Sequence, residues 1–142
     1  MQQENTVYWL KFASLLVIGF GLIVSLAAHP ASAGLPLVLT DLMFWPMDGK
    51  QSLSGPETRL LSAILGGVMV GWGVLFWLIS AKLYHREPDL ARSIIYWSIG
   101  TWFITDSIGS IVAGVSINAF LNIGFLAAFV LPLWRSPKNA VA

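Results

Sequence analysis

The chain has 142 residues, of which 56% are hydrophobic and 11% charged, and its formal net charge is +1. This composition lies well outside the range of soluble domains and leaves room for one domain, most of it within a lipid bilayer. The few basic residues are scattered, which argues against nucleic acid as a partner, and the absence of cysteine excludes disulfides and Cys-ligated metal centres.

Four apolar segments follow one another along the chain. They cover residues 7–28, 60–81, 94–113 and 117–133. Each of the first three has about 20 residues, which matches a hydrocarbon core of about 30 Å, and Pro132 is expected to end the fourth. Backbone groups in lipid must be hydrogen bonded within their own segment, so the segments are helices. The sequence therefore predicts an all-α fold, a four-transmembrane-helix bundle that forms a single domain over residues 1–142.

The first segment has a second interpretation. Lys11, the apolar run 12–28 and the small residues Ala31 and Ala33 resemble a secretory signal peptide with an A-x-A cleavage site. The apolar run is longer than the core of such a signal, which has about 7–15 residues, so a retained helix is favoured. In either case Gly34 lies on the same side of the membrane.

The lysines and arginines predict the orientation, because basic residues gather on the cytoplasmic side of a membrane. One side would carry Lys11, Lys82, Arg86, Arg92, Arg135 and Lys138. The other side would carry only Lys50 and Arg59. Both termini are therefore expected in the cytoplasm, with the link between helices one and two outside it.

That outer link, residues 30–57, is the only long one. Its stretch 35–45 is strongly apolar but too short to span a bilayer. A segment of this kind is expected to lie at the membrane interface or to cap the bundle.

The remaining helix ends carry local signals. Pro56 and Glu57 are first-turn residues for helix two, and Pro88 and Asp89 are first-turn residues for helix three. Residues 114–118 are predicted to form a tight outer turn, which makes helices three and four an antiparallel hairpin.

Residues 93–134 contain a single formal charge, Asp106, in the middle of the third segment. An isolated carboxylate at membrane depth costs a few kcal/mol or more, so it requires a partner, a proton or a water-filled cavity. Arg59 begins helix two on the same outer side, and Asn118 and Asn122 lie one turn apart near the outer end of helix four. These four residues are predicted to form an intramembrane polar cluster.

The cluster has two interpretations. In the first, Asp106 is protonated or neutralised by Arg59 and only holds the bundle together. In the second, the cluster is a site for a proton or a ligand, since intramembrane acids are often functional. The protonation state of Asp106 depends on which of the two holds.

Small residues recur every four positions in helix two, at Ala63, Gly67 and Gly71. This spacing lets two helix backbones approach closely and pack by dispersion. Gly66 and Gly73 widen the surface. The face is expected to pack within the bundle, against another subunit, or both.

No residue pattern points to catalysis or to a cofactor. The motifs G-x-S-x-G and H-E-x-x-H and the Walker and Rossmann glycine patterns do not occur. His29 is predicted outside and His85 inside, so they cannot hold one haem or metal ion together. His29 with Asp41, Asp48 or Glu57 has too irregular a spacing for a usual metal site. No catalytic residue, no metal site and no cofactor is therefore predicted.

Two motifs flank the start of helix two: Phe44-Trp-Pro-x-Asp48-Gly49 and Arg59-Leu-Leu-x-Ala-Ile-x-Gly-Gly67-x-x-x-Gly71-Trp-Gly73. They resemble a pattern in a family of small four-helix bacterial inner-membrane proteins that has no established activity. The resemblance is strongest over residues 44–73, and the region of Asp106 is similar as well. It implies a location in the bacterial inner membrane and brings no chemistry.

The sequence thus favours a non-catalytic, multi-pass integral membrane protein rather than an enzyme. Its expected partners are the lipid bilayer and other transmembrane helices, so that it would serve as a helix-packing accessory or an oligomeric subunit of a membrane complex. The alternative is a small carrier or a proton-linked ligand-binding protein that uses Asp106. A membrane enzyme is a more distant alternative, because it requires a nucleophile, a metal or an acid–base pair.

Overall fold

The computed structural model describes residues 2–135, and within this range the chain is all-α, as predicted. The five α-helices are α1 (Gln2–Ser25), α2 (Gly34–Met43), α3 (Pro56–Leu78), α4 (Pro88–Val112) and α5 (Ser116–Arg135). Two 3-10 turns, Leu26–Ala28 and Pro30–Ser32, join α1 to α2, and a π-helical turn, Ile79–Leu83, continues α3. Lys138, one of the basic residues that predict the orientation, lies outside the described residues.

The four predicted long helices are present, and three of them have the length and composition of membrane spans. These three stretches are Gln3–Ala28, Pro56–Leu83 and Ser116–Arg135. The helix α4 is just as long, with 25 residues, but Asp106 and several serines and threonines lower its mean hydropathy. The apolar stretch of the outer link folds into α2, which contacts α1, the first 3-10 turn and α5.

The predicted hairpin of α4 and α5 is closed by a glycine cap. Gly114 has a φ of +79°, a conformation that glycine adopts without steric cost, and the N–H of Val115 donates to the carbonyl of Ser110 at 2.8 Å. At the other end of the pair, the guanidinium of Arg92 donates to the carbonyl of Leu133. The two helices therefore run antiparallel along their whole length.

Pro132 lies inside α5 rather than at its end, which corrects the expectation that it terminates the helix. A proline has no N–H, so the carbonyl of Ala128, four residues earlier, loses its helical donor. The indole Nε1 of Trp9 on α1 donates to this carbonyl at 2.9 Å. The proline is tolerated because a neighbouring helix replaces the missing hydrogen bond.

The helices α1 and α3 meet through glycine. A Cβ atom added to Gly66 would lie 2.6 Å from the backbone oxygen of Gly21, and one added to Gly73 would lie 3.0 Å from the backbone oxygen of Ser14. No side chain fits at such distances, so the two backbones are in direct contact. This close approach is the packing that small residues allow between helices in lipid.

The face of α3 that was predicted for helix packing is not the face that contacts α1. Ala63, Gly67 and Gly71 are exposed, and Cβ atoms added to the two glycines would meet nothing within 4 Å. Packing within the bundle therefore uses Gly66 and Gly73, one or two residues away and on another side of α3. The docking of another subunit on the exposed face stays a prediction.

The buried core lies at one end of the bundle. It is formed by the first half of α1, the last part of α3, the first half of α4 and the end of α5. Its largest fully buried side chains are those of Tyr84, Phe76 and Phe129. Because this end carries most of the basic residues, we refer to it as the inner end and to the opposite end, near α2, as the outer end.

Towards the outer end the bundle is open. Within the described residues, α1 lies between α3 and α5, and α4 packs on α5. In contrast, α3 and α4 do not pack along their length, and they approach each other where the rings of Trp72 and Trp102 lie 5.7 Å apart. A gap between α3 and α4 follows from this arrangement.

We expect Gly66→Ala to destabilise the fold and Gly67→Ala to leave it nearly unchanged. The added methyl group at residue 66 overlaps the backbone of α1, whereas residue 67 faces open space. Overpacking of this kind costs about 1–3 kcal/mol. Thermal unfolding of the two purified variants in the same detergent measures the difference, and equal melting temperatures would contradict the glycine contact.

Candidate functional site

Three of the four predicted cluster residues come together between α4 and α5. The carboxylate Oδ2 of Asp106 accepts hydrogen bonds from Nδ2 of Asn118 at 3.0 Å and from Nδ2 of Asn122 at 2.6 Å. The asparagines lie one turn apart on α5, and the tight turn at Gly114 sets them opposite Asp106 on α4. The sequence pattern therefore identified the centre of the cluster.

Two serines of α4 complete the network. Nδ2 of Asn118 also lies 2.8 Å from Oγ of Ser110, and Nδ2 of Asn122 lies 3.2 Å from Oγ of Ser107. Asn122 is buried, and Asp106 and Asn118 are half-buried. Polar side chains that bridge two helices in this way hydrogen bond the helices to each other.

Arg59, the fourth predicted residue, does not join the cluster. It lies in the first turn of α3, and α3 is not packed along α4. The hydrogen-bond partners of Asp106 within residues 2–135 are the two asparagines, and no cationic side chain forms an ion pair with it there. The interpretation of a carboxylate neutralised by Arg59 is therefore not supported by the geometry.

The cluster forms part of the wall of a cavity of about 1350 Å³. All five helices contribute to this wall, with α2 at the outer end and α1 and α5 at the back. The cavity occupies the outer part of the bundle, where α3 and α4 stand apart. We call it the outer cavity.

The outer cavity has a polar and an aromatic part. Asp106, Asn118 and Asn122 line it towards the outer end, and Asp106 is the sole charged residue among the described residues of the wall. Towards the inner end the ring of Trp102 lies 5.7 Å from that of Trp72 and 6.2 Å from that of Phe125. The remaining wall is mostly aliphatic.

We refer to the gap between α3 and α4 as the mouth of the outer cavity, because these two helices do not pack along their length. Wall residues on both sides of this gap are exposed, namely Leu65 and Val68 on α3 and Thr101 and Thr105 on α4. A molecule that reaches the carboxylate through this mouth passes between two helices rather than along the bundle axis.

The aromatic part of the wall was only partly predictable. Trp102 lies four residues before Asp106, and this spacing places both on one face of a helix. Trp72 and Phe125 carry no such signal, because their positions in the wall depend on which helices pack against α3 and α5. Ser107 was also missed, since it lies on the neighbouring face of α4.

The other candidate side chains form contacts with residues of the outer link. Nδ1 of His29 accepts the N–H of Ala31 at 3.2 Å, and the carboxylate of Asp41 accepts the N–H of Gly49 at 3.1 Å. The ammonium group of Lys50 lies 2.8 Å from the carboxylate of Asp48 and lowers its pKa. No group of three or more histidine and acidic side chains in residues 2–135 is placed to hold a metal ion.

No protein-family model matches the chain, and no significant match was found to a curated protein or to a solved structure. The resemblance of residues 44–73 to small four-helix bacterial membrane proteins therefore stays a prediction.

We expect Asp106 to be energetically coupled to Asn122 and not to Arg59. Asp106→Ala and Asn122→Ala remove the two ends of one hydrogen bond, so their double-mutant cycle should give a coupling energy of about 0.5–3 kcal/mol. The matched cycle with Arg59→Ala should give a value near zero, because the two side chains do not meet. Chemical or thermal unfolding in detergent measures both cycles. Strong coupling to Arg59 would restore the ion pair that the geometry does not support.

Proposed function

We propose that this protein is a non-catalytic integral membrane protein that binds a small amphipathic molecule in the outer cavity. The observation that carries the proposal is a carboxylate in the wall of a large apolar cavity, held by two amides and without a cationic partner in residues 2–135. A carboxylate in such a place is costly unless it has a function or a partner. This choice favours the ligand-binding alternative over a purely structural role of Asp106.

The size and lining of the cavity support a ligand. Pockets for small molecules typically have about 300–1000 Å³, are lined mainly by apolar and aromatic side chains, and contain a few polar groups that orient the ligand. The outer cavity has about 1350 Å³ and joins three clustered polar residues to an aromatic end. Its volume suits a molecule with a polar head and an apolar body of considerable size.

We propose that four helices cross a membrane, α4 among them. The exposed surface of α4 supports this, because it carries large apolar side chains, and several of the polar ones turn towards α5 and the cavity. Those exposed apolar residues are Trp97, Ile104, Ile108, Ile111 and Val112. The charge bias supports a cytoplasmic position of both termini, and the resemblance supports a bacterial inner membrane.

We also propose that α1 is retained as a helix of the bundle rather than removed as a signal peptide. Val7, Leu10, Ala13 and Val17 are buried and belong to the core. Its glycine contact with α3 and the hydrogen bond from Trp9 to α5 add to this. Removal of α1 would leave the other helices without the element that joins them.

A second candidate function is that of a subunit in a membrane complex, of this chain with itself or with other proteins. The exposed face of Ala63, Gly67 and Gly71 favours it, because the bundle does not use this face for its own packing. A further helix could approach α3 closely there. The two functions are compatible, since this face and the outer cavity lie on different parts of α3.

We expect Gly124→Leu to block ligand binding and Gly109→Leu to leave it intact. Both glycines have open space around the position of a Cβ atom, but only Gly124 lies in the cavity wall. The neutral amphiphile 1-pyrenebutanol serves as the probe, and native mass spectrometry measures its one-to-one adduct with the protein. The loss of affinity in the blocked variant should be about tenfold or more, which corresponds to about 1.4 kcal/mol. Equal adduct formation by both variants would contradict binding in the outer cavity.

We expect the double change of Gly67→Leu and Gly71→Leu to abolish association without unfolding the bundle. The larger side chains point away from the core and prevent another helix from approaching. Crosslinking and native gel electrophoresis in mild detergent measure the association, with Gly109→Leu as the matched control on α4. Unchanged association of the double variant would count against this face as an interface.

A further inference from the structure

We propose that the ligand of the outer cavity is a lipophilic cation, which reaches Asp106 from the bilayer through the gap between α3 and α4. This inference rests on the proposed function and names the chemical class of its ligand. Three features of the cavity carry it: the sign of its charge, the free oxygen of the carboxylate and the aromatic rings at its inner end.

The one formal charge that the cavity wall can carry is negative. Asp106 is the sole charged residue of the wall, and it forms no ion pair with a cationic side chain of residues 2–135. The amides of Asn118 and Asn122 supply hydrogen bonds but no opposite charge. A cation at this position would offset the cost of the carboxylate in apolar surroundings, whereas an anion would be repelled.

One oxygen of the Asp106 carboxylate is available to a ligand. Both amide donors go to Oδ2, and Oδ1 accepts no hydrogen bond from the described residues. No buried side-chain oxygen or nitrogen within these residues is without a hydrogen-bond partner, so Oδ1 is not sealed within the protein. A cation near Oδ1 would gain Coulomb attraction to the carboxylate, and an ammonium group would gain a charge-assisted hydrogen bond as well, while the amides keep the carboxylate in place.

The aromatic end of the cavity suits the body of such a molecule. Trp72 and Trp102 line the wall, and Trp102 lies one helical turn from Asp106. Tryptophan is the side chain that binds cations best through the face of its ring, and it also covers apolar surface. A cation with an aliphatic or aromatic body is therefore recognised at both ends of the cavity.

The residues at the mouth of the outer cavity indicate how a ligand would enter it. The edges of the gap are Leu65 and Val68 on α3 and Thr101 and Thr105 on α4, with no charged residue among them. If α3 and α4 cross the bilayer, this mouth faces acyl chains. The cation must therefore be lipophilic enough to partition into the membrane before it binds, which excludes small hydrated metal ions.

The experiment compares two ions of the same shape and opposite charge, tetraphenylphosphonium and tetraphenylborate. Binding to the complete protein is measured by equilibrium dialysis in nanodiscs of phosphatidylcholine, with empty nanodiscs subtracted. We expect saturable one-to-one binding of tetraphenylphosphonium with an affinity about tenfold or more above that of tetraphenylborate. This comparison uses the unmodified protein, so it does not depend on the folding of any variant.

Two variants then test the role of the carboxylate. Asp106→Asn keeps the shape and the hydrogen-bonding capacity of the side chain but removes its charge, so the preference for the cation should disappear. Asp89→Asn removes an exposed acid in the first turn of α4, outside the cavity, and should leave the preference unchanged. Equal binding of the two ions, or a preference that survives in Asp106→Asn, would overturn the inference.

The neutral alcohol separates this failure from a failure of the proposed function. If 1-pyrenebutanol binds and Gly124→Leu blocks it while the two ions bind equally, the cavity binds ligands but does not select cations. If neither the ions nor the alcohol bind to the unmodified protein, both the inference and the proposed function fail.

Discussion

The contact between α1 and α3 is the constraint on which the rest of the structure depends. Gly21, Gly66 and Gly73 let the two backbones touch, and no larger residue fits at these positions. In lipid there is no hydrophobic force between helices, so such close packing is one of the few ways to hold a bundle together. The helix α3 packs on α1 and does not pack along α4. A gap therefore remains between α3 and α4, and this gap is the mouth of the outer cavity.

The two ends of the bundle consequently differ in character. The inner end is filled by large side chains such as Tyr84, Phe76 and Phe129 and provides the core. The outer end is held by polar contacts between α4 and α5, centred on Asp106, and encloses space instead of side chains. This arrangement suits ligand binding, because the closely packed core at the inner end fixes the helices that carry the polar site at the outer end.

The sequence predicted what is local and missed what depends on packing between distant helices. The four long helices follow from the apolar segments, and the glycine turn at Gly114 predicts the hairpin that brings Asp106 to the asparagines. The assignment of Arg59 failed because it required α3 to lie along α4, and no pattern in either helix indicates which neighbours it has. The sequence also did not show that Gly66 rather than Gly67 contacts α1, because a transmembrane helix is apolar on all sides. The outer cavity exists because α3 packs on α1 and not along α4. Because the sequence does not indicate this packing, the cavity was not predictable.

In the proposed topology α4 crosses the membrane, which places Asp106 and the outer cavity at membrane depth. The chain has no cysteine, so single cysteines introduced at His85, between α3 and α4, and at Ser116, after the α4–α5 turn, report on the two ends of α4. Both residues are exposed. Labelling intact cells with a membrane-impermeant maleimide should modify the cysteine at residue 116 and spare the one at residue 85. Equal labelling of both before and after permeabilisation would place the two ends of α4 on one side and contradict the account.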